Sequence, residues 1–188
     1  LHTYINGVFS IMSELRTNRI VPRDGLVSGT GIGGGIIQIK STTKTDHFSM
    51  ASLTPAEITG FNVSITPTRS DSKILLLINA NFGGDENAYL SFTLKRNSQL
   101  IALTTVFDGT DDRTQSTFGG HSGSNNRTFT GGINFLDTPA TTSAVTYKLF
   151  LASLYANKTV HINRSHTNSD HSYNQGMVST ITAMEVSG

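Results

Sequence analysis

The last third of the chain, residues 132–188, alternates short runs of β-forming residues with long polar connections. Val145, Tyr147, Leu149 and Leu151 occupy every second position, the period at which side chains share one face of a strand. A further β-like run, 178–186, ends two residues before the last residue, and we expect such a strand to be paired inside a sheet. This region therefore predicts strands joined by polar loops.

The same pattern extends back to residue 36. The predicted strands are 36–41, 61–65, 73–82, 88–94, 100–107, one beginning at Ile133, 145–151, 160–162 and 178–186. Residues 73–82 are apolar enough to be buried on both faces. Helix signals are limited to single turns at 13–16 and 53–58, the latter with Thr54 and Pro55 as its start.

About eight strands separated by turns predict an all-β fold, an antiparallel β-sandwich of the jelly-roll type, over residues 36–188. Alternation along the strands predicts which side chains point inward. The predicted core includes Leu76, Phe92, Phe135, Leu149 and Ile181.

The amino-acid composition limits the classes of function that the chain can have. Only 14% of the 188 residues are charged, the formal net charge is +1, and Ser and Thr make up about a quarter of the chain. A nearly neutral chain without basic runs predicts no nucleic-acid partner. The absence of cysteine removes disulfides and thiolate chemistry, so we expect tight oligomerisation to supply stability. No apolar run has the length of a membrane helix, and residues 1–11 lack the features of a signal peptide.

Residues 1–35 are predicted to form an extended N-terminal attachment arm that ends in a Gly-rich linker, LVSGTGIGGG. Gly29, Gly31 and Gly34 match the spacing of a dinucleotide-binding fingerprint. That chemistry requires a strand before the glycines and a helix after them, and neither is indicated. No cofactor is therefore predicted. The first Met is Met12, which leaves open whether residues 1–11 are native.

Catalytic and metal-binding patterns are weak. The acidic groups Asp85–Glu86 and Asp108–Asp112 lie in Gly- and Thr-rich loops, where Asp commonly accepts backbone hydrogen bonds. His161, His166 and His171 are five residues apart, a spacing that alternates faces on a strand. We predict no metal within one chain, although copies around a symmetry axis could converge. No nucleophile-elbow motif is present, and we predict that the chain is not an enzyme.

Two long polar loops, 108–128 and 165–175, are the predicted receptor-binding surface. They combine short donors and acceptors with an aromatic ring, which suits hydroxyl-rich sugars such as host surface polysaccharide. The predicted receptor-binding residues are Asp111, Asp112, Arg113, His121, Asn125, Asn126, Arg127, His166, Asn168, Asp170, His171, Tyr173 and Asn174.

Several segments carry a family resemblance: GGIIQIKSTTKTDHFSM, FLDTPATTSAVTYKLF, TVHINRS and STITAMEVSG, with MSELRTNRIVPRDG near the start. They resemble the C-terminal domain of phage tail-fibre and related virion proteins, especially those of cyanobacterial phages. The resemblance implies a homotrimeric virion protein that serves host attachment and docks onto another virion protein through residues 1–35.

Two other functions stay open at this point. A capsid decoration or head-spike protein could use the same domain to stabilise a shell, and the sequence does not separate it from a tail fibre. A polysaccharide-degrading tail enzyme is disfavoured by the short chain and the lack of a convincing carboxylate pair.

Overall fold

The computed structural model describes residues 35–104 and 113–187. These residues form eleven β-strands, all paired antiparallel, and contain no helix, so none that could span a membrane. The strands are β1 (Ile36–Lys44), β2 (Phe48–Met50), β3 (Ala56–Ile65), β4 (Lys73–Gly84), β5 (Ala88–Arg96), β6 (Gln99–Ile101), β7 (Phe118–Ser122), β8 (Thr128–Asp137), β9 (Val145–Ser153), β10 (Val160–Ile162) and β11 (Ser179–Val186).

The strands form a two-sheet sandwich, as predicted. In the first sheet, β4 pairs with β8 along one edge and with β11 along the other, and β1 pairs with β11. In the second sheet, the order is β3, β9, β5, and β7 lies on the far edge of β5. The eight long strands, numbered along the chain, therefore run 1-8-3-6 in one sheet and 2-7-4-5 in the other. This order is the jelly-roll connection.

The two inner faces supply the core. Alternate residues of β4, β5, β9 and β11 point between the sheets and are buried. Leu76, Phe92, Leu149 and Ile181 are fully buried, as predicted. Phe135 is only half-buried, because β8 is an edge strand paired with β4 alone.

Three local predictions are wrong, and one short strand was not predicted. The segment 53–58 forms no helical turn, because β3 begins at Ala56 and pairs with β9. Strand β6 ends at Ile101, so the predicted strand 100–107 is much shorter among its described residues. The predicted loop 108–128 contains β7, whose backbone pairs with β5. The strand β2, for which the sequence made no prediction, pairs with β10.

The outer side of β4 also differs from expectation. Ile74, Leu76 and Ile78 are buried, whereas Leu75 and Leu77 on the opposite face are only partly covered. The strand is therefore not buried on both faces within this chain. Two leucines on the outside of a sheet leave apolar surface in contact with water.

Candidate functional site

Four connections meet at one end of the sandwich, which we call the loop end. They comprise residues 45–55, 85–87, 123–127 and 154–178. Asn125 links three of them, because its side-chain oxygen accepts from the Glu86 amide at 2.6 Å and its carbonyl accepts from the Thr167 amide at 2.9 Å. The Ser153 amide donates to the carbonyl of Ser52 at 3.0 Å, which ties in the remaining connection. The loop end is thus cross-linked by hydrogen bonds.

Asn163 anchors the longest connection to the core. Its side-chain amide donates to the carbonyls of Lys44 at 2.8 Å and Asp46 at 2.9 Å, and its oxygen accepts from Ser179 Oγ at 2.6 Å. The residue is fully buried and has a φ of 66°, a left-handed conformation that Asn tolerates better than most residues. The chain can therefore reverse directly after β10.

This reversal builds a hydrogen-bonded chain of four side chains. Ser49 Oγ lies 2.7 Å from His161 Nδ1, and His161 Nε2 lies 3.1 Å from His166 Nδ1. His166 Nε2 lies 3.3 Å from Asp85 Oδ1. The guanidinium of Arg164 also lies 3.2 Å from His161 Nδ1. Because Arg can only donate, Nδ1 is assigned as the acceptor, and each ring then donates through Nε2 toward Asp85.

The Ser49–His161 pair has the distance expected of a catalytic serine and its general base. The electrostatic environment of His161, however, opposes that role. Burial lowers the pKa of His161 to about 4, and the positive charges of Arg164 and His166 act in the same direction. A histidine with such a low pKa is a poor general base near neutral pH. Asp85 in turn accepts the Thr159 amide at 2.7 Å, as expected for a loop aspartate. The arrangement is best suited to fixing the loop end.

Metal binding finds no support in the part of the chain that the structure describes. There, no group of three or more His, Asp or Glu side chains is placed to hold a metal ion. His161, His166 and Asp85 follow one another as a hydrogen-bonded row, and the guanidinium of Arg164 beside His161 adds a positive charge that disfavours a cation there.

A second concavity lies on the outer face of the other sheet. It has a volume of about 360 Å³ and is lined by Thr54, Pro55, Thr93, Lys95, Leu100, Leu103 and Gln115. The Lys95 ammonium lies 4.1 Å from the centre of the Phe150 ring, a cation–π contact. Among the described residues that line it, none is acidic.

The structure brings most of the predicted receptor-binding residues together. Those at the loop end are Asn125, Asn126, Arg127, His166, Asn168, Asp170, His171, Tyr173 and Asn174. His121 lies on β7, next to this end. Arg113 lies in the connection between β6 and β7. Asp111 and Asp112 lie outside the described residues.

Sequence reasoning missed Ser49, Asp85 and His161 as neighbours. The five-residue spacing of His161 and His166 argued against contact, because residues five apart on a strand point to opposite faces. However, β10 ends at Ile162, so only His161 is on a strand. No sequence signal marks this reversal, because the left-handed conformation of Asn163 is seen only in the structure.

Comparison with known proteins assigns no family. No protein-family profile matches the sequence, and no curated protein does. Among solved structures, an infectious bursal disease virus structure of the Gx strain matches with a TM-score of 0.43 and 12% identity, over 92% of this chain and 42% of that one. A VP2 subviral particle of the same virus matches with a TM-score of 0.38 and 12% identity, over 92% of this chain and 45% of that one. This chain thus spans less than half the length of either protein.

Proposed function

We propose that this chain is a phage virion structural protein, a tail fibre whose β-sandwich associates as a homotrimer and presents the loop end to the host surface. The proposal combines the resemblance of the sequence to phage fibre domains with one structural observation. That observation is an apolar strip on the outside of the first sheet.

The strip crosses four strands in register. Ile39 on β1 pairs with Met184 on β11, Met184 pairs with Leu75 on β4, and Leu75 pairs with Leu136 on β8. Directly paired residues lie on the same face of a sheet, so these four side chains form one row. Leu77 continues the strip on β4. We call these five residues the outer apolar strip.

The strip is costly to leave in water. Ile39 is 54% exposed and Leu136 is 49% exposed. Strand β1 places Ile39 outward while Gln38 turns toward the sandwich and donates to Glu185 at 2.6 Å. A strand with its apolar residue outside and a polar residue inside is the reverse of the usual pattern for a solvated sheet. Contiguous exposed apolar surface of this kind marks association with another protein.

Charge is compatible with another copy of the same chain as the partner. The row on one side of the strip carries Ser41, Thr182 and Asn134, which are neutral, and the row on the other side carries the exposed Lys73 beside Val186. A face with few charges selects no strongly charged partner and meets its own copy with little repulsion. Association through a sheet face also leaves the strand ends free, so the loop end stays available for the host. Residues 1–35 would then join the trimer to another virion protein.

The proposal is tested by the mass of the full chain in solution. Light scattering should give about three times the chain mass. Ile39→Lys should shift this mass toward one chain, because a charge in the strip cannot be buried without a partner. Ser64→Lys, an exposed position on β3 of the other sheet, is the matched control and should leave the trimer intact. A wild-type monomer, or equal behaviour of both variants, would contradict the proposed interface.

A further inference from the structure

Three aromatic side chains form an exposed group beside the loop end, which we call the aromatic shelf: Tyr89, His121 and Tyr155. The Tyr89 and His121 ring centres are 4.4 Å apart, and the planes are inclined by 41°. The Tyr89 and Tyr155 ring centres are 6.4 Å apart, with planes inclined by 24°. The three rings thus form one contiguous group on the outer side of the second sheet.

The backbone holds all three rings in place. Tyr89 and His121 are direct partners on the paired strands β5 and β7. Tyr155 follows the end of β9, where the Leu154 amide donates to the Tyr89 carbonyl at 2.8 Å and Ser153 Oγ donates to the Tyr155 carbonyl at 3.0 Å. Rings on paired strands are ordered before any ligand arrives, which lowers the entropic cost of binding.

The shelf is open to solvent. Tyr89 is 47% exposed and Tyr155 is 57% exposed. Among the described residues, neither hydroxyl has a hydrogen-bond partner. Exposed polar residues, Glu86, Asn87 and Asn157, lie within three residues of the tyrosines in sequence. The surface therefore offers flat apolar rings together with free donors and acceptors.

This combination fits a sugar ring better than other flat ligands. A pyranose in which the ring substituents are equatorial presents axial C–H groups on its faces and hydroxyls around its rim. The C–H face can pack on an aromatic ring while the rim meets polar groups. Nucleobases also stack on aromatic rings, but single-stranded nucleic acid requires a basic groove, and this chain has a formal net charge of +1.

We propose that the aromatic shelf is a binding site for β-linked hexopyranosides. The inference rests on the proposed attachment function for the source of the ligand, a host surface glycan. The site itself uses Tyr89 and Tyr155, which stack against two consecutive sugar rings, and His121, which supports Tyr89 from the neighbouring strand. The ligand is bound without bond cleavage.

The test is a titration of the full chain with cellotetraose and with laminaritetraose, the β-1,4- and β-1,3-linked tetramers of glucose, followed by NMR of the tyrosine and histidine ring resonances. We expect at least one tetrasaccharide to shift the Tyr89, Tyr155 and His121 signals at millimolar concentration. Sorbitol, which has the hydroxyls of glucose but no ring face, should not shift them. Tyr155→Ala should weaken binding about tenfold, the loss expected for one stacked ring.

Leu100→Ala is the matched control, because Leu100 is 48% exposed on β6 of the same sheet and is not part of the shelf. It should bind like the wild type. The proposal is overturned if neither tetrasaccharide shifts the ring signals, if sorbitol acts equally, or if Tyr155→Ala binds unchanged. It is also overturned if Tyr155→Ala dissociates the oligomer without affecting sugar binding, which would mark the shelf as a subunit contact. The mass of the wild-type oligomer is measured separately, so this site and the proposed trimer can fail independently.

Discussion

Polar side chains buried in the sandwich are held by partners from distant strands. Asp137 at the end of β8 accepts hydrogen bonds from Arg96 Nη1 on both carboxylate oxygens, at 2.9 and 2.8 Å, and from Tyr147 Oη at 2.6 Å. Burial raises the pKa of Tyr147, and the hydrogen bond to Asp137 raises it further. The three groups connect β5, β8 and β9 across both sheets, so their loss should affect the whole fold.

Asp137→Asn should lower the free energy of unfolding by about 2–4 kcal/mol, because it leaves the guanidinium of Arg96 largely buried without a counter-charge. Chemical denaturation measures this change. Asp71→Asn is the control, because the Arg69–Asp71 pair is exposed and should contribute little. Equal losses of unfolding free energy in the two variants would show that the buried pair contributes no more to stability than the exposed pair.

The pH dependence of stability should reveal His161. Its folded pKa is about 4 and its unfolded pKa is about 6.5, so below pH 6.5 the unfolded chain takes up a proton that the folded chain does not. The free energy of unfolding should therefore fall as the pH drops from 6.5 to 4, by up to about 1.4 kcal/mol per pH unit. His161→Gln should flatten this slope, whereas His171→Gln, at an exposed loop position, should not.

Glu185 acts in a different pH window. Burial works to raise its pKa, but hydrogen bonds from Gln38 and Thr68 outweigh burial and lower the pKa to about 2. The contribution of Glu185 to the free energy of unfolding is complete above pH 4.5 and is lost as the pH falls from 4.5 to 2. Measurements between pH 6.5 and 4.5 therefore isolate the histidine. An unchanged slope in His161→Gln over that range would contradict the assignment.

At the scale of the strands, β8 depends on a close approach to β4. A Cβ atom at Gly132 would lie 1.9 Å from the carbonyl oxygen of Ile78, far inside van der Waals contact. The clash is with backbone, which cannot move away cheaply in a paired strand. Only glycine is compatible with this register of the edge strand.

Gly132→Ala should therefore lower the thermal unfolding midpoint by several degrees, since an overpacked site costs about 1–3 kcal/mol. Gly123→Ala is the matched control, because a Cβ there meets nothing within 4 Å. If both variants melt at the wild-type temperature, the strands are not as closely paired as described.

A strand could be predicted from the sequence where apolar and polar residues alternate regularly along it. The inward residues of β5 and β9, such as Leu90 and Leu149, repeat every second position, and both strands were predicted correctly. Strand β7 reads FGGHS, in which two glycines and a histidine resemble a loop. It is a strand because the edge of β5 pairs with it, a tertiary contact that composition does not encode.

At the candidate site, too, local sequence predicts some features, and others depend on tertiary contacts. The polar loop 165–175 was identified from its composition, and the structure places it at the loop end. The contact between His161 and His166 depends on one left-handed residue between them, and the tyrosines of the aromatic shelf come from separate elements. Such contacts require the pairing of strands far apart in the sequence and could not be derived from local pattern.

For the whole molecule, the two proposed surfaces use different parts of the sandwich. The outer apolar strip lies on the first sheet, and the aromatic shelf lies on the second. A trimer formed through the first sheet would leave three shelves and three loop ends exposed. Three weak sugar contacts on one particle would raise the effective affinity without any new contact.

The central claim, a trimeric tail fibre, is tested most directly by locating the protein in the virion with electron cryo-microscopy. The account predicts trimers at the tail, three copies or a small multiple of three, with the loop ends pointing away from the particle. Many copies distributed over the capsid shell would contradict the tail-fibre assignment and favour a decoration protein.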